Sequence, residues 1–266
     1  MTHFHHILYS ADDGISRITL NRPMKLNSLD DETMHELHAA MSLVERDTKS
    51  RVLLLTGAGR AFCAGQDLSD PALESTNGKA ADLGDLVERH FKPFVMRLHN
   101  LRVPTVAAVN GPAAGAGASI ALACDLVVAA RSAYFLQAFS KIGLSPDTGS
   151  TWLLARTVGT ARARGLAMLA KKLSAQQAED WGMIWQSVED DKFNDTVEKL
   201  VDELARMPTK ALVRTRHLIQ SAVSNTLEQQ LSLEAIVVRE MGFSEDFAEG
   251  RRAFLQKRSA QFKGNE

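Results

Sequence analysis

The run from Pro104 to Asp125, PTVAAVNGPAAGAGASIALACD, leaves little freedom in how this chain can fold. Thr105, Val106 and Val109 form a β-branched segment behind a proline, the pattern of a short buried strand. Asn110-Gly111-Pro112 then turns the chain, and Ala113 to Ala118 holds only glycine and alanine. A helix that starts there has almost no side-chain bulk over its first turn. Its unpaired N–H groups therefore lie open to close approach by a ligand and favour developing negative charge. Upstream, Arg51 to Leu68 (RVLLLTGAGRAFCAGQDL) repeats the same strand-to-small-residue logic. Two such turns can aim two backbone donors at one point, which is the requirement for an oxyanion hole.

The rest of the chain supplies a frame for these turns. Ile7 to Leu20 reads as two strands around Asp12-Asp13-Gly14, and Leu29 to Asp47 as a helix capped by Asp30 or Asp31, with Met34, Leu37, Met41 and Val44 on one face. Arg51–Thr56 is a further buried strand, and residues 69–81 form a surface loop. Asp82 to Leu101 reads as a long helix, bent or restarted near Pro93. Strands follow at Asp125–Ala129 and Tyr134–Leu136, so the order up to here is a β/α alternation and implies a layered α/β architecture with right-handed crossovers. Beyond Asp147, helices are expected at Thr151–Ala170 and Ser174–Trp181, with one strand-like piece at Ile184–Val188. Only helices are expected from Asp191 onward, at 191–206, 209–223, 226–240 and 244–257. The expected division is a core over residues 1–190 and a helical region over 191–266 that packs on the core or joins copies of the chain.

Composition excludes several functions. With a net charge of −1, the chain has no bulk attraction to nucleic acid or to acidic membranes. No run is apolar for long enough to span a bilayer, and MTHFHHILYS lacks the pattern of a secretory signal. Cys63 and Cys124, the only two cysteines, have no metal-ligand spacing and fit a reducing cytoplasm. No metal centre or separate cofactor is expected. His3, His5 and His6 read as a frayed polar terminus rather than a metal site. Gly57-Ala58-Gly59 follows a strand as a dinucleotide fingerprint does, but Phe62 stands where the third glycine belongs. Cys63 has no histidine near it in sequence and reads as a small buried thiol rather than a nucleophile.

Gly143 to Leu154, GLSPDTGSTWLL, holds the better candidate for chemistry. Asp147 precedes Thr148-Gly149-Ser150 and an apolar helix, so two readings stand at this point: a helix N-cap, for which Asp is favoured, or a catalytic carboxylate.

Taken together, NRPMKLNSL, LLLTGAGRAFCAGQDL, AAVNGPAAGAG and LSPDTGSTWLL, in this order and spacing, resemble the enoyl-CoA hydratase/isomerase (crotonase) superfamily, and the likeness extends into the tail EGRRAFLQKRSAQF. Within it, FCAGQDL, AFSKIGLSPDTGSTWLL and LSAQQAEDWGMIWQSV are most similar to the ring-1,2-epoxyphenylacetyl-CoA isomerases of aerobic phenylacetate degradation. The resemblance implies a spiral of ββα units followed by a helical trimerisation region, assembling as a homotrimer or hexamer. It also implies an acyl-CoA thioester substrate and other enzymes of that pathway as partners. Position by position, the two oxyanion donors fall on the N–H groups of Ala64 in CAGQD and Ala116 in GAG. Arg22, Lys25 and Leu26 match the segment near the CoA nucleotide and pantetheine, and Gly65, Gln66 and Asp67 the loop beside the adenine. Phe254 and Lys257 match tail residues that reach the nucleotide, often in a neighbouring subunit, although Lys257 also reads as a solvated helix charge.

The departures from the pattern bear on the chemistry. Hydratases of this superfamily carry two glutamates that activate water; here the corresponding positions are Ser119 and Phe139, and neither is a general base. Asp147 instead matches the catalytic aspartate of several isomerases. The resemblance thus implies isomerisation by one carboxylate above an enolate, with ring-epoxide isomerisation of phenylacetyl-CoA as the leading expectation and 3,4- to 2,3-double-bond migration as a related one. A straight-chain Δ3,Δ2-enoyl-CoA isomerase, a hydratase and a non-catalytic acyl-CoA binder stand as alternatives. Phe139 and Trp152 are candidates to line the acyl pocket, or simply core.

Overall fold

A computed structural model describes residues 3–74 and 81–264, so Ser75–Ala80 of the expected surface loop lie outside the described residues. Among the described residues nine strands form two sheets: β1 Ile7–Asp12, β2 Ile15–Leu20, β3 Val52–Gly57, β4 Thr105–Val109, β5 Ala113–Ala114, β6 Leu126–Ala130, β7 Tyr134–Leu136, β8 Leu173–Ser174 and β9 Gln186–Val188. The larger sheet has the order β1-β2-β3-β4-β6-β9, antiparallel at the β1–β2 hairpin and parallel elsewhere. The smaller sheet is β5-β7-β8. The central strands β3 (VLLLTG) and β4 (TVAAV) are apolar on both faces because both faces are covered, as parallel strands require.

The helices are α1 Asp31–Arg46, α2 Leu83–Leu86, α3 Lys92–His99, α4 Ala116–Leu122, α5 Ser150–Thr157, α6 Gly159–Leu169, α7 Ala175–Asp180, α8 Phe193–Arg206, α9 Thr209–Ala222, α10 Leu227–Gly242 and α11 Glu245–Gln256. Asp30 caps α1, its carboxylate accepting from the Thr33 N–H, and the expected face of Met34, Leu37, Met41 and Val44 is buried. Two expected helices are subdivided. Between α2 and α3 lies a π turn, Val87–Phe91, in which the Lys92 N–H reaches the Val87 carbonyl. Pro93 has no N–H to donate and its ring crowds the preceding turn, so the wider turn relieves both problems. The second break falls at Gly159, whose φ of +76° separates α5 from α6. No helix among the described residues is long and apolar enough to cross a membrane.

Residues 5–7 are anchored where the sequence suggested fraying: the backbone N–H groups of His5, His6 and Ile7 donate to the Glu36 carboxylate at 2.6, 2.8 and 3.1 Å. One helix carboxylate thus anchors three consecutive donors ahead of β1. The late helices attach in two ways. α8 buries Phe193, Val197, Val201 and Leu204 against the sheet. α9 is held by Arg216, which donates to the Asp125 carboxylate at 2.6 Å and to the carbonyls of Leu101 and Val103. Its guanidinium is buried, so Arg216→Met leaves Asp125 and two carbonyls without their partner. We expect a loss of about 3–5 kcal/mol, read as a lower urea midpoint at unchanged slope. An unchanged midpoint shows that the pair is dispensable.

Candidate active site

The two small-residue turns are stitched together by their backbones. Cys63 and Ala113 form a parallel bridge, the Ala114 N–H donates to the Cys63 carbonyl at 2.8 Å, and the Cys63 N–H donates to the Pro112 carbonyl at 3.1 Å. Such an approach leaves no room for side chains. A Cβ on Gly117 would lie 2.5 Å from the Cys63 carbonyl oxygen and 2.7 Å from its Sγ. Cys63 itself is buried, and burial pushes its thiol up to about 12, which makes it an inert packing group.

One oxyanion assignment is corrected by the structure. The Ala64 N–H is already donated to the Leu26 carbonyl at 3.0 Å. The segment before α1 runs parallel to this turn, with the Leu29 N–H on the Gly65 carbonyl and the Asp67 N–H on the Leu29 carbonyl, both at 2.8 Å. Strand-like alternation then points the intervening Gln66 N–H the other way, toward the cavity. Gly65 makes this possible with a φ of +91°, and a Cβ on it would come within 3.4 Å of the Ala116 nitrogen. The neighbouring donors at this point are therefore the N–H groups of Gln66 and Ala116, and neither has an acceptor among the described residues. Ala116 stands at the first position of α4, where an N–H is unpaired by construction.

Both donors open on a cavity of about 340 Å³. Its walls are Leu83, Leu86, Val87 and Phe91 from α2 and the π turn, with Ala138, Phe139, Ile142 and Leu144 opposite. Asp147 is the only ionisable side chain among its described lining residues. The carboxylate does not cap α5: the N-cap is Gly149, with no side-chain cap bond. The capping reading therefore fails, and the helix start uses the Asp147 carbonyl, which accepts from the Ser150 N–H and Oγ at 2.9 and 2.7 Å. Burial pushes the Asp147 carboxyl above its usual range, opposed by the Thr148 hydroxyl donating to Oδ1 at 2.7 Å. Thr148 holds a φ of +53°, a conformation a β-branched residue rarely adopts, and it stands beside the one carboxylate of the cavity.

A buried hydroxyl chain links the two halves of the site. Ser119 Oγ donates to the Gly115 carbonyl at 3.1 Å and pairs with Ser150 Oγ, which in turn holds the Asp147 carbonyl. Ser119 is fully buried and is not among the residues that line this cavity, so where the hydratase pattern has a glutamate this chain has a structural hydroxyl. Phe139 lines the cavity; Trp152 does not, lying half-exposed with the Arg156 guanidinium 4.0 Å above its ring.

The remaining expected residues are placed less directly. Arg22 and Asp67 face each other: the guanidinium lies 3.0 Å from Asp67 and 2.8 Å from Asp30. Burial works against ionisation of Asp67, but the Ser69 hydroxyl and N–H and the Arg22 charge outweigh it and hold the carboxyl down at about 2. Neither side chain lines the cavity, whereas Ala64, Gly65 and Gln66 do. Leu26 contributes its carbonyl to Ala64, Lys25 is exposed beside it, and Phe254 and Lys257 sit at the exposed end of α11, away from the cavity walls. Sequence patterning missed Thr148, Leu86, Val87 and Phe91. A proline inside a helical run was the available signal for the last three, because it marks where the helix face is rotated.

Comparison with known proteins follows the same lines. The profile described as enoyl-CoA hydratase/isomerase matches residues 10–265. The chain is 54% identical over 258 residues to the 1,2-epoxyphenylacetyl-CoA isomerase of Escherichia coli (strain K12), covering 97% of this chain and 98% of that protein. It is 44% identical over 261 residues to a probable enoyl-CoA hydratase of Rhodobacter capsulatus, covering 98% and 99%. Among solved structures, a putative enoyl-CoA hydratase from Streptomyces coelicolor A3(2) superposes with a TM-score of 0.91 at 33% identity, over 99% of this chain and 96% of that one.

Proposed function

This chain belongs to the enoyl-CoA hydratase/isomerase family, and from that premise we propose that it isomerises 2-(1,2-epoxy-1,2-dihydrophenyl)acetyl-CoA to oxepin-CoA and also moves a 3,4 double bond of an enoyl-CoA to the 2,3 position. The observation that carries this reading is a single carboxylate, Asp147, in an apolar cavity shared with two unpaired backbone donors. In double-bond migration the Asp147 carboxylate takes a proton from C2 of the thioester. The electron pair moves onto the thioester oxygen, where the N–H groups of Gln66 and Ala116 receive it. The carboxylic acid then returns the proton to C4 as the 2,3 double bond forms, and no atom is gained or lost. Each donor contributes about 3–4 kcal/mol to the enolate-like transition state, by the magnitude seen in other oxyanion holes. Ring expansion of the epoxide is likewise an isomerisation, and the cavity's part is to hold the ring against Phe139 and Phe91 while the thioester oxygen is fixed. Hydration has no second acid or base to use, since Ser119 is committed to the Gly115 carbonyl and Phe139 is apolar.

Assembly belongs to the same reading. Leu227, Leu231, Phe243 and Phe247 on and between α10 and α11 are exposed apolar groups, consistent with residues 191–266 joining copies into a trimer or hexamer. Phe254 and Lys257 then reach a neighbour's nucleotide site rather than their own. We place the enzyme in the cytoplasm, acting without a separate cofactor and alongside other phenylacetate-pathway enzymes.

Mass-resolved product analysis in D₂O tests the chemistry, with a 3-enoyl-CoA, a 2-enoyl-CoA and enzymatically generated epoxide as substrates. The expected products are isomers that gain only deuterium in double-bond migration. A product heavier by one water overturns the reading in favour of a hydratase, and saturable binding without turnover in favour of an acyl-CoA carrier.

A further inference from the structure

The wall of the acyl cavity formed by the π turn carries a second cluster of donors. Asp31 and His35 lie one turn apart on α1, and His90 comes from the π turn whose neighbours Val87 and Phe91 line the cavity. His90 Nε2 is 2.8 Å from Asp31 Oδ1, and His35 Nδ1 is 3.3 Å from Asp31 Oδ2. One donor atom from each of the three residues lies within 4.8 Å of the others, and the two imidazoles meet edge to face at 5.0 Å. The His90 side chain is 6% exposed, yet its Nε2 makes no hydrogen bond: the Asp31 oxygen is close but lies off the N–H direction. A buried imidazole nitrogen without a well-directed hydrogen bond is costly, which favours a ligand that this nitrogen can bind. His38, the other imidazole nearby, is committed elsewhere, with Nε2 on the His90 carbonyl at 3.0 Å and Nδ1 beside the Arg97 guanidinium.

We propose that Asp31, His35 and His90 bind a divalent transition-metal ion of the zinc or cobalt type, which clamps α1 to the π-turned wall of the acyl cavity. Two imidazoles and one carboxylate suit these ions, whereas calcium and magnesium call for oxygen donors. Ligands at about 2.0–2.1 Å from a tetrahedral ion stand roughly 3.3–3.4 Å apart; the three donors here lie within 4.8 Å of one another, so a turn of the exposed His35 ring toward His90 closes the set around an ion. The ion takes up the unpaired His90 nitrogen and displaces the contact of His35 Nδ1 with the Asp31 carbonyl, now at 2.8 Å. Asp31 and His35 are open to solvent, so water completes the coordination. The Asp31 N–H, donated to Asp70 at 2.8 Å, fixes the start of the helix behind the carboxylate. This inference rests on none of the chemistry proposed above.

The test adds Co²⁺ and Zn²⁺ to the untagged, chelator-treated chain and follows visible absorption and titration heat. One Co²⁺ per chain is expected, with bands in the range of four- or five-coordinate cobalt that Zn²⁺ abolishes. His35→Ala, at an exposed position, keeps the fold and weakens binding by about tenfold or more, and His90→Asn does the same. A His3→Ala/His5→Ala variant binds like the parent. The proposal is overturned if the parent binds no ion below millimolar concentration, if His35→Ala and His90→Asn bind unchanged, or if binding is lost with His3 and His5.

Discussion

Asp147→Asn is expected to reduce the rate of double-bond migration by about 10²–10⁴-fold, the span of general acid–base catalysis, while the chain folds and binds CoA thioesters as before. The side chain keeps its shape and its acceptor oxygen for the Thr148 hydroxyl, so the change removes one function, proton transfer. The expected signature is the loss of deuterium incorporation from D₂O with little change in KM. The pH dependence carries a matching sign. Burial raises the Asp147 carboxyl above 3.8, so the parent rate climbs as pH rises through that elevated value and then levels off, a limb that the variant lacks. Stability runs the other way. The folded chain holds this proton more tightly than the unfolded chain does, so Asp147 favours folding most below 3.8 and progressively less as pH rises through its folded value. At neutral pH the Asn variant is therefore expected to melt no lower than the parent, and somewhat higher if Thr148 still pairs. A variant that migrates double bonds at the parental rate removes Asp147 from the mechanism.

The sequence made the frame of this site legible but not its finest detail. Apolar runs before small-residue turns identified β3 and β4 and the start of α4, because glycine and alanine without intervening bulk are hard to explain otherwise. Asp147 stood out for its chemistry, yet its capping alternative was settled only by the backbone: with Thr148 and Gly149 both at positive φ, the carbonyl turns toward the helix start instead of the carboxylate. Arg22 and Asp67 were expected near the ligand from the resemblance, but their pairing with each other was not legible, since it joins segments 22 and 67 that are far apart in the chain and shares Asp30 at the head of α1. The donor at Gln66 was hidden for a different reason. Which N–H of CAGQD is free depends on the register against Leu26–Leu29, and register between segments this far apart is set by packing that no local pattern encodes.

That register makes the pair of donors proposed for the thioester oxygen sensitive to a single methyl group at residue 65. Gly65→Ala places a Cβ 2.8 Å from the Ala114 carbonyl oxygen, at a φ of +91° that alanine resists. The peptide between residues 65 and 66 must rotate, and with it the Gln66 N–H leaves the neighbourhood of the Ala116 N–H. Ground-state thioester binding depends weakly on that donor and the enolate strongly, so kcat is expected to fall by about 10²–10³-fold with a smaller change in KM. Backbone amide-to-ester replacement separates geometry from donor identity. An ester at residue 66 deletes the proposed donor without touching the Leu26 contact, whereas an ester at residue 64 deletes the bond to the Leu26 carbonyl; each also weakens the preceding carbonyl as an acceptor, that of Gly65 for the Leu29 N–H and that of Cys63 for the Ala114 N–H. The first is expected to lose kcat with a smaller drop in melting temperature than the second, and the second to lose more stability with kcat nearly intact. The reverse pattern returns the donor role to Ala64, and with it the view that the family's small-residue turn presents its alanine, not the residue after its glycine, to the thioester oxygen.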